Sequence, residues 1–101
     1  MELINAKEAR KQTLQNIDVI VSRFLEREKL EGTLVDRINR HINNGELKVE
    51  HYTGDFIYQA KENILKEMYK IFQKFIEKGY NITVEELGSD YWVKYLIKIE
   101  W

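Results

Sequence analysis

Residues 91–101 alternate between apolar and polar side chains, and this alternation constrains the fold more than any other feature of the chain. The residues at every second position are apolar or aromatic: Tyr91, Val93, Tyr95, Ile97, Ile99 and Trp101. Lys94, Lys98 and Glu100 fall between them. This period is typical of a strand with one buried face. The strand therefore needs a cover, and helical patterns upstream can supply it.

Residues 5–44 carry a helical pattern that is interrupted near its middle. Asn5 followed by Glu8 is similar to a capping box at a helix start. The apolar stripe consists of Leu14, Ile17, Val21 and Phe24, then Val35, Ile38 and Ile42. The polar gap from Glu28 to Gly32 allows either one long helix, straight or bent, or two hinged helices. Because the phase of the stripe is preserved across the gap, we favour one long helix.

The remaining patterns predict a short strand at 46–52, a second helix from about 56 to 78, and hairpin strands at 80–85 and 91–101. Glycines follow both predicted helix ends, where this residue commonly terminates a helix. The sequence therefore predicts a single α+β domain, residues 1–101. Its order is a long N-terminal helix, a short strand, a second helix and a C-terminal antiparallel β-hairpin.

The composition argues against several classes of protein. The net charge is -1, so no global attraction to nucleic acid or to an anionic membrane is expected. The chain has no cysteine, which excludes disulfides, thiolate metal sites and thiol catalysis. No apolar run approaches the roughly 20 residues of a membrane helix, and the N-terminal segment has no signal-peptide core. We expect an intracellular protein without a membrane partner.

No constellation of residues points to a reaction. His41 and His51 are the only histidines, and their spacing matches no metal motif. The segment 88–90 lacks the second glycine of a nucleophile elbow. The glycines are isolated, so no phosphate-binding loop is present. We therefore expect no enzyme activity, no catalytic residue, no metal and no cofactor.

Two basic clusters are candidates for binding an anion. Arg10 lies with Lys7 and Lys11 near the start of the first helix, and Arg40 lies in a basic run near its end. Each cluster is either a solvated helix face or an anion site completed by other parts of the protein. The cations near the helix end are also favoured by the helix dipole.

The aromatic start of the last strand is the second candidate feature. Tyr91 and Trp92 are consecutive, so on a strand they point to opposite faces. We expect Trp92 to lie off the core face together with Lys94. An exposed tryptophan beside a lysine can stack on a base or anchor a protein partner, unless a helix or another subunit covers that face. The candidate ligand-binding residues are Arg10, Arg40, Tyr91, Trp92 and Lys94.

Three segments resemble a family of small bacteriophage and prophage proteins. They are Asn5-Ala6-Lys7-Glu8-Ala9-Arg10, Phe75-Ile76-Glu77-Lys78-Gly79-Tyr80-Asn81-Ile82 and Tyr95-Leu96-Ile97-Lys98-Ile99-Glu100-Trp101. The family often ends in Ile-Ser-Trp, and this chain differs at the middle, solvent-facing position, Glu100. The resemblance implies a viral origin and a binding role against host machinery in the host cytoplasm.

Some phage proteins of this size are oligomers that sequester nucleotide signals of bacterial immunity. By analogy we expect an anti-defence protein that forms a homo-oligomer and sequesters a cyclic or linear nucleotide. Surplus apolar surface on the second helix also favours a homo-oligomer, because a small sheet cannot cover it. The alternative is a phage protein that inhibits a host protein by direct contact, or a structural or assembly component.

Overall fold

The computed structural model describes residues 3–101 and shows helices packed on one face of an antiparallel sheet. The helices are α1 (Ala6–Leu14), α2 (Ile17–Glu28), α3 (Leu30–Asn43) and α4 (Lys61–Ile76), with a 3-10 turn at Tyr58–Ala60 before α4. The strands are β1 (Lys48–Tyr52), β2 (Phe56–Ile57), β3 (Asn81–Gly88) and β4 (Trp92–Glu100). The predicted α+β class and the C-terminal hairpin are confirmed.

β4 is the central strand, and all its partners run antiparallel to it. Along one edge, residues 81–88 of β3 lie opposite residues 93–100 of β4. Along the other edge, β1 lies opposite residues 96–100 and β2 lies opposite residues 92 and 93. The predicted terminal strand is therefore the element to which every other strand is hydrogen-bonded.

Thr53 lies between β1 and β2 and continues the hydrogen bonding to β4 where neither strand does. Its backbone N–H donates to the carbonyl of Tyr95 at 2.9 Å. Its hydroxyl accepts from the backbone N–H of Tyr95 at 2.9 Å and donates to the carbonyl of Gly54 at 3.0 Å. Thr53 is buried. The hydroxyl thus replaces the missing backbone acceptor, so the buried N–H of Tyr95 keeps a partner.

The core lies between the inner sheet face and helices α2, α3 and α4. Its largest fully buried side chains are Phe72, Leu30, Leu34, Ile64, Met68, Ile97, Ile99, Val49 and Val93. The odd-numbered residues from Val93 to Ile99 are buried, as the alternation predicted, but Leu96 between them is buried as well. Tyr91 differs from the expectation and is 61% exposed. The reason is that β4 begins at Trp92, so Tyr91 lies in the hairpin loop and not on the core face.

The N-terminal helical region is divided into three helices, so the expectation of one long helix is wrong. The chain leaves the helix first at residues 15–16 and again at Lys29. Lys29 has φ +44°, and it is the only non-glycine residue with a positive φ among residues 3–101. Gly32, within the expected weak zone, lies inside α3. After the kink at Lys29, α3 packs on β1, whereas α2 packs on α4 and the 3-10 turn.

Tertiary contacts hold this kink. The carboxylate of Glu28 accepts the backbone N–H of Gly54, and the guanidinium of Arg27 donates to the carbonyl of Asp55 at 3.2 Å. A left-handed conformation costs a residue other than glycine about 1–2 kcal/mol. The connection between β1 and β2 therefore stabilises a backbone conformation at Lys29 that the local sequence does not favour.

Two further boundaries differ from the prediction by three residues or more. α4 begins at Lys61 and not near residue 56, because Phe56 and Ile57 pair with β4 as strand β2. β3 continues to Gly88, whereas the alternation predicted an end at Glu85. Both differences lengthen the sheet at the Trp92 end, which is where α1 approaches it.

α1 projects from the domain at the Trp92 end of the sheet. Its predicted N-cap is confirmed, since the side chain of Asn5 accepts from the backbone N–H of Glu8 at 2.9 Å. Within Ala6–Leu14 no residue is buried. The molecule measures 56 × 22 × 22 Å with a radius of gyration of 16.2 Å. A compact domain of this length has a radius of about 13 Å, so the expected extension beyond the globular part agrees with the structure.

His51 on β1 forms a half-buried pair with a cation. The guanidinium of Arg37 lies 2.9 Å from Nδ1 of His51, so the ring nitrogen accepts the hydrogen bond. Burial lowers the pKa of His51, the charge of Arg37 lowers it further, and Glu28 acts in the opposite direction. The folded protein therefore favours the neutral imidazole.

We expect the free energy of unfolding to decrease as the pH falls below about 6.5, the ordinary pKa of histidine in an unfolded chain. The folded-state pKa is lower, so this contribution is complete above 6.5 and is lost as the pH approaches the folded value. One proton limits the slope to about 1.4 kcal/mol per pH unit. Urea unfolding at several pH values should show a flatter profile for His51→Gln than for wild type. Parallel profiles for wild type and His51→Gln would contradict this assignment.

Candidate functional site

α1 and the start of β4 enclose a cleft of about 210 Å³, which we call the α1–β4 cleft. Its lining residues are Arg10, Thr13, Leu14, Ile57, Gln59, Tyr91 and Trp92. α1 supplies one wall, and the β2–α4 connection together with the hairpin supplies the other. Three of the five predicted binding residues, Arg10, Tyr91 and Trp92, therefore lie in one cleft although they come from opposite ends of the sequence.

Hydrogen bonds fix the backbone that carries the two aromatic residues of the cleft. The carbonyl of Tyr91 accepts from the backbone N–H of Tyr58 at 2.9 Å, and the carbonyl of Trp92 accepts from that of Ser89 at 2.8 Å. The guanidinium carbon of Arg10 lies 5.5 Å from the ring centroid of Tyr91, which is a cation–π distance. Trp92 is 55% exposed, so it presents aromatic surface to solvent at the cleft.

A basic depression on α1 adjoins the cleft. Its lining includes Lys7, Arg10 and Lys11, and Arg10 and Leu14 belong to both concavities. One face of α1 thus places three cations beside an aromatic cleft. Phosphate groups are bound by such cations, and the planar guanidinium of arginine can donate two parallel hydrogen bonds to one phosphate.

Lys94 lies two residues beyond Trp92 on the outer face of the sheet, as predicted. Its ammonium group is 5.4 Å from the ring centroid of Tyr52, the cross-strand neighbour of Leu96. Leu96 is buried on this face although no core helix packs there. Lys94 therefore borders the cleft and is already placed over an aromatic ring of its own sheet.

Arg40 lies at the opposite end of the molecule. It belongs to the last turn of α3, which leads into β1 at Lys48, and Lys48 pairs with Glu100. Arg10, by contrast, lies beside the start of β4. Within one chain the structure does not bring Arg40 to the other four predicted residues.

Two other members of the basic run near Arg40 have structural partners. Arg37 is hydrogen-bonded to His51, and Nδ1 of His41 lies 2.8 Å from a carboxylate oxygen of Glu46. These contacts connect the end of α3 to β1. For this run the structure favours a role in holding α3 on the sheet over a separate anion site.

Sequence reasoning missed Ile57 and Gln59 as cleft residues, because the apolar pattern around them is compatible with a helix. Ile57 lies opposite Trp92 only because the short strand β2 forms. Gln59 follows in the 3-10 turn and is exposed. Its amide offers a hydrogen-bond donor and an acceptor beside the aromatic wall. No local signal distinguishes this segment from the helix that follows it.

The buried hydroxyl of Tyr95 has a structural role. Burial raises its pKa to about 12, with a further contribution from the negative charge of Glu86. The hydroxyl donates to the carbonyl of Lys61 at 2.9 Å, where α4 begins.

Among residues 3–101 no group of three or more histidine, aspartate or glutamate side chains could hold a metal ion.

The chain was compared with known families, proteins and structures. No protein-family model, no curated protein and no solved structure matches it. The resemblance to phage proteins therefore stays a prediction. In the part of the chain that the structure describes, no helix has both the length and the apolar character needed to cross a membrane.

Proposed function

We propose that the chain is a non-enzymatic binding protein that takes up a nucleotide in the α1–β4 cleft. The observation that supports this proposal is the meeting of Arg10 with Tyr91 and Trp92 in one cleft beside a basic helix face. A nucleotide combines a flat base with phosphates, and the two adjoining concavities offer an aromatic wall and a group of cations.

The size of the α1–β4 cleft suits a ligand whose base lies in the cleft and whose phosphates lie in the basic depression on α1. A cleft of about 210 Å³ is smaller than pockets for drug-sized molecules, but it has room for one base. The base would stack on Trp92, a contact worth about 1–3 kcal/mol, and the amide of Gln59 would meet its polar edge. The phosphates would then extend toward Lys7, Arg10 and Lys11 on α1.

The biological role that we propose for this binding is sequestration of a nucleotide-derived immune signal by a phage anti-defence protein. This role follows from the sequence resemblance. Sequestration needs tight binding and no reaction. Self-association of the chain would place several clefts in one particle.

Direct contact with a host protein is the second candidate function, and the outer face of the sheet favours it. Tyr52 is 54% exposed and Trp92 is 55% exposed on this face. Exposed aromatic residues are common among the side chains that dominate protein–protein binding energies. Under this alternative the same tryptophan would enter a pocket of a partner protein.

Calorimetric titration with a panel of cyclic and linear nucleotides tests the proposal. We expect Trp92→Ala to weaken binding about 5- to 150-fold, which corresponds to the loss of one stacked base. Arg10→Ala should weaken binding of phosphorylated ligands more than that of the nucleoside. Lys94→Ala should have a smaller effect, because this lysine borders the cleft without lining it.

Arg40→Ala is the matched control, since it removes an exposed arginine at the other end of the molecule. It should leave the affinity unchanged. If wild type binds no member of the panel, contact with a host protein becomes the better proposal. Tight binding that neither Trp92→Ala nor Arg10→Ala alters would place the ligand outside the α1–β4 cleft.

A further inference from the structure

Helix α1 contributes no side chain to the buried core. Within Ala6–Leu14 no residue is buried, and Leu14 at the end of the helix is half-buried. The hydrogen bonds that the described side chains of α1 make all stay within residues 5–16. A cation–π contact of 5.5 Å between Arg10 and Tyr91 joins the helix to the hairpin. Such contacts between exposed groups are weak, so α1 is held loosely against the domain.

Two residues separate α1 from α2 and interrupt the helix at this point. Asn16 has φ -110° and ψ +40°, which is outside the helical region. Its backbone N–H donates to the carbonyl of Thr13 at 3.0 Å, and its side chain donates to the carbonyl of Gln12 at 2.9 Å. α2, by contrast, places side chains in the core. Residues 15–16 are therefore the place where α1 can turn relative to the rest of the domain.

The length of α1 makes its own stability small. It has nine residues, and isolated helices shorter than about 12–15 residues are only marginally stable in water. Segments with few buried apolar contacts open locally at a low free-energy cost, without unfolding of the core. We therefore expect α1 to detach and unfold while the sheet and the helices α2, α3 and α4 stay folded.

We propose that α1 is a lid of the α1–β4 cleft, which turns at residues 15–16 and becomes ordered when it closes on a nucleotide; the coupling to a ligand rests on the function proposed above. The groups that would hold the ligand are divided between lid and sheet. Lys7, Arg10 and Lys11 belong to α1, whereas Trp92 belongs to the central strand β4. A nucleotide that contacts both sets joins α1 to the domain.

The lid lowers the apparent affinity of the cleft in proportion to the fraction of free protein in which α1 is folded and closed. Changes in the stability of α1 are therefore expected to change nucleotide affinity, even when they lie outside the site. Gln12 suits this purpose, because it lies on α1 and lines neither the cleft nor the basic depression.

Hydrogen exchange of the free chain tests the mobility of α1 without any ligand. We expect the amides of residues 9–14 to exchange more than about 100-fold faster than those of residues 66–72 in α4, because α1 opens locally and α4 opens only with the core. Equal protection of the two helices would overturn the lid, whether or not a nucleotide binds.

Calorimetric titration with adenosine 5′-triphosphate tests the coupling of α1 to the ligand. Glycine is less favourable than alanine inside a helix, so Gln12→Gly should bind this nucleotide about 4- to 5-fold more weakly than Gln12→Ala. The same two substitutions at Gln73 are the matched control, since Gln73 is exposed on α4, which is folded with and without ligand. The two Gln73 variants should bind with equal affinity.

The results separate a failure of the lid from a failure of the proposed function. Nucleotide binding with equal affinities of Gln12→Gly and Gln12→Ala would overturn the lid and leave the binding function in place. If neither this nucleotide nor any other member of the panel binds wild type, the proposed function and the role of α1 as a lid for it are both overturned. In that case rapid exchange of residues 9–14 would describe a mobile helix and not a lid.

Discussion

Gly88→Ala should destabilise the protein by about 3–4 kcal/mol, because it combines backbone strain with a steric clash. Gly88 has φ +131°, a conformation that side chains rarely allow. A Cβ atom there would collide with the carbonyl oxygen of Trp92 and would lie 2.9 Å from Cα of Val93. These are backbone atoms of the neighbouring strand, so neither can move without breaking the hairpin. Denaturant unfolding followed by circular dichroism measures the change.

Gly32→Ala is the matched control for this substitution. Gly32 lies inside α3, and a Cβ atom there meets no atom within 4 Å. Alanine is favoured over glycine in a helix by about 1 kcal/mol, so this variant should be more stable than wild type. Equal effects of the two substitutions would show that the hairpin does not have the tight backbone approach described at Gly88. If only Gly88→Ala causes a large loss of stability, we also expect this substitution to displace Tyr91 and Trp92 and to weaken ligand binding.

Phe72→Ala should destabilise the protein by about 3–5 kcal/mol through the cavity that it leaves in the core. Phe72 is fully buried on α4, and its ring meets that of Tyr69 edge to face at 5.7 Å. The neighbouring helices can close such a space only in part, because α4 is fixed by other buried residues along the same face. Urea unfolding at constant pH gives the change in free energy.

Gln73→Ala is the control for the Phe72 substitution, because Gln73 is the next residue of α4 and is exposed. Surface changes of this kind are usually within about 0.5 kcal/mol. Comparing the stability losses of Phe72→Ala and Gln73→Ala tests whether Phe72 faces the core and Gln73 faces solvent. A loss below about 1 kcal/mol for Phe72→Ala would contradict that orientation.

The features that follow from local periodicity were predictable from the sequence. The alternation in β4 indicates which residues are buried, and it also places Trp92 and Lys94 together on the outer face. The stripe of α4 is equally clear, since Ile64, Met68 and Phe72 recur every four residues and all three are buried. In both elements the pattern and the burial have the same physical cause, which is removal of apolar surface from water.

The features that depend on tertiary contacts were not predictable in this way. Lysine is not a residue that marks a helix break, and the left-handed conformation of Lys29 depends on the contact between Glu28 and Gly54. Gly32 was the more plausible break by composition, yet it lies inside a helix. The approach of Arg10 to Tyr91 likewise requires the sheet to position α1. A single sequence carries no signal for such pairs.

Trp92 fluorescence during a nucleotide titration tests the proposed binding in the α1–β4 cleft most directly. The chain has two tryptophans, so the Trp101→Phe variant leaves Trp92 as the only reporter. A base stacked on its ring should quench the emission in a saturable way, and Arg10→Ala should raise the midpoint about tenfold if one charge-assisted phosphate contact is lost. Saturable calorimetric binding of a nucleotide with unchanged Trp92 emission would contradict a ligand in this cleft.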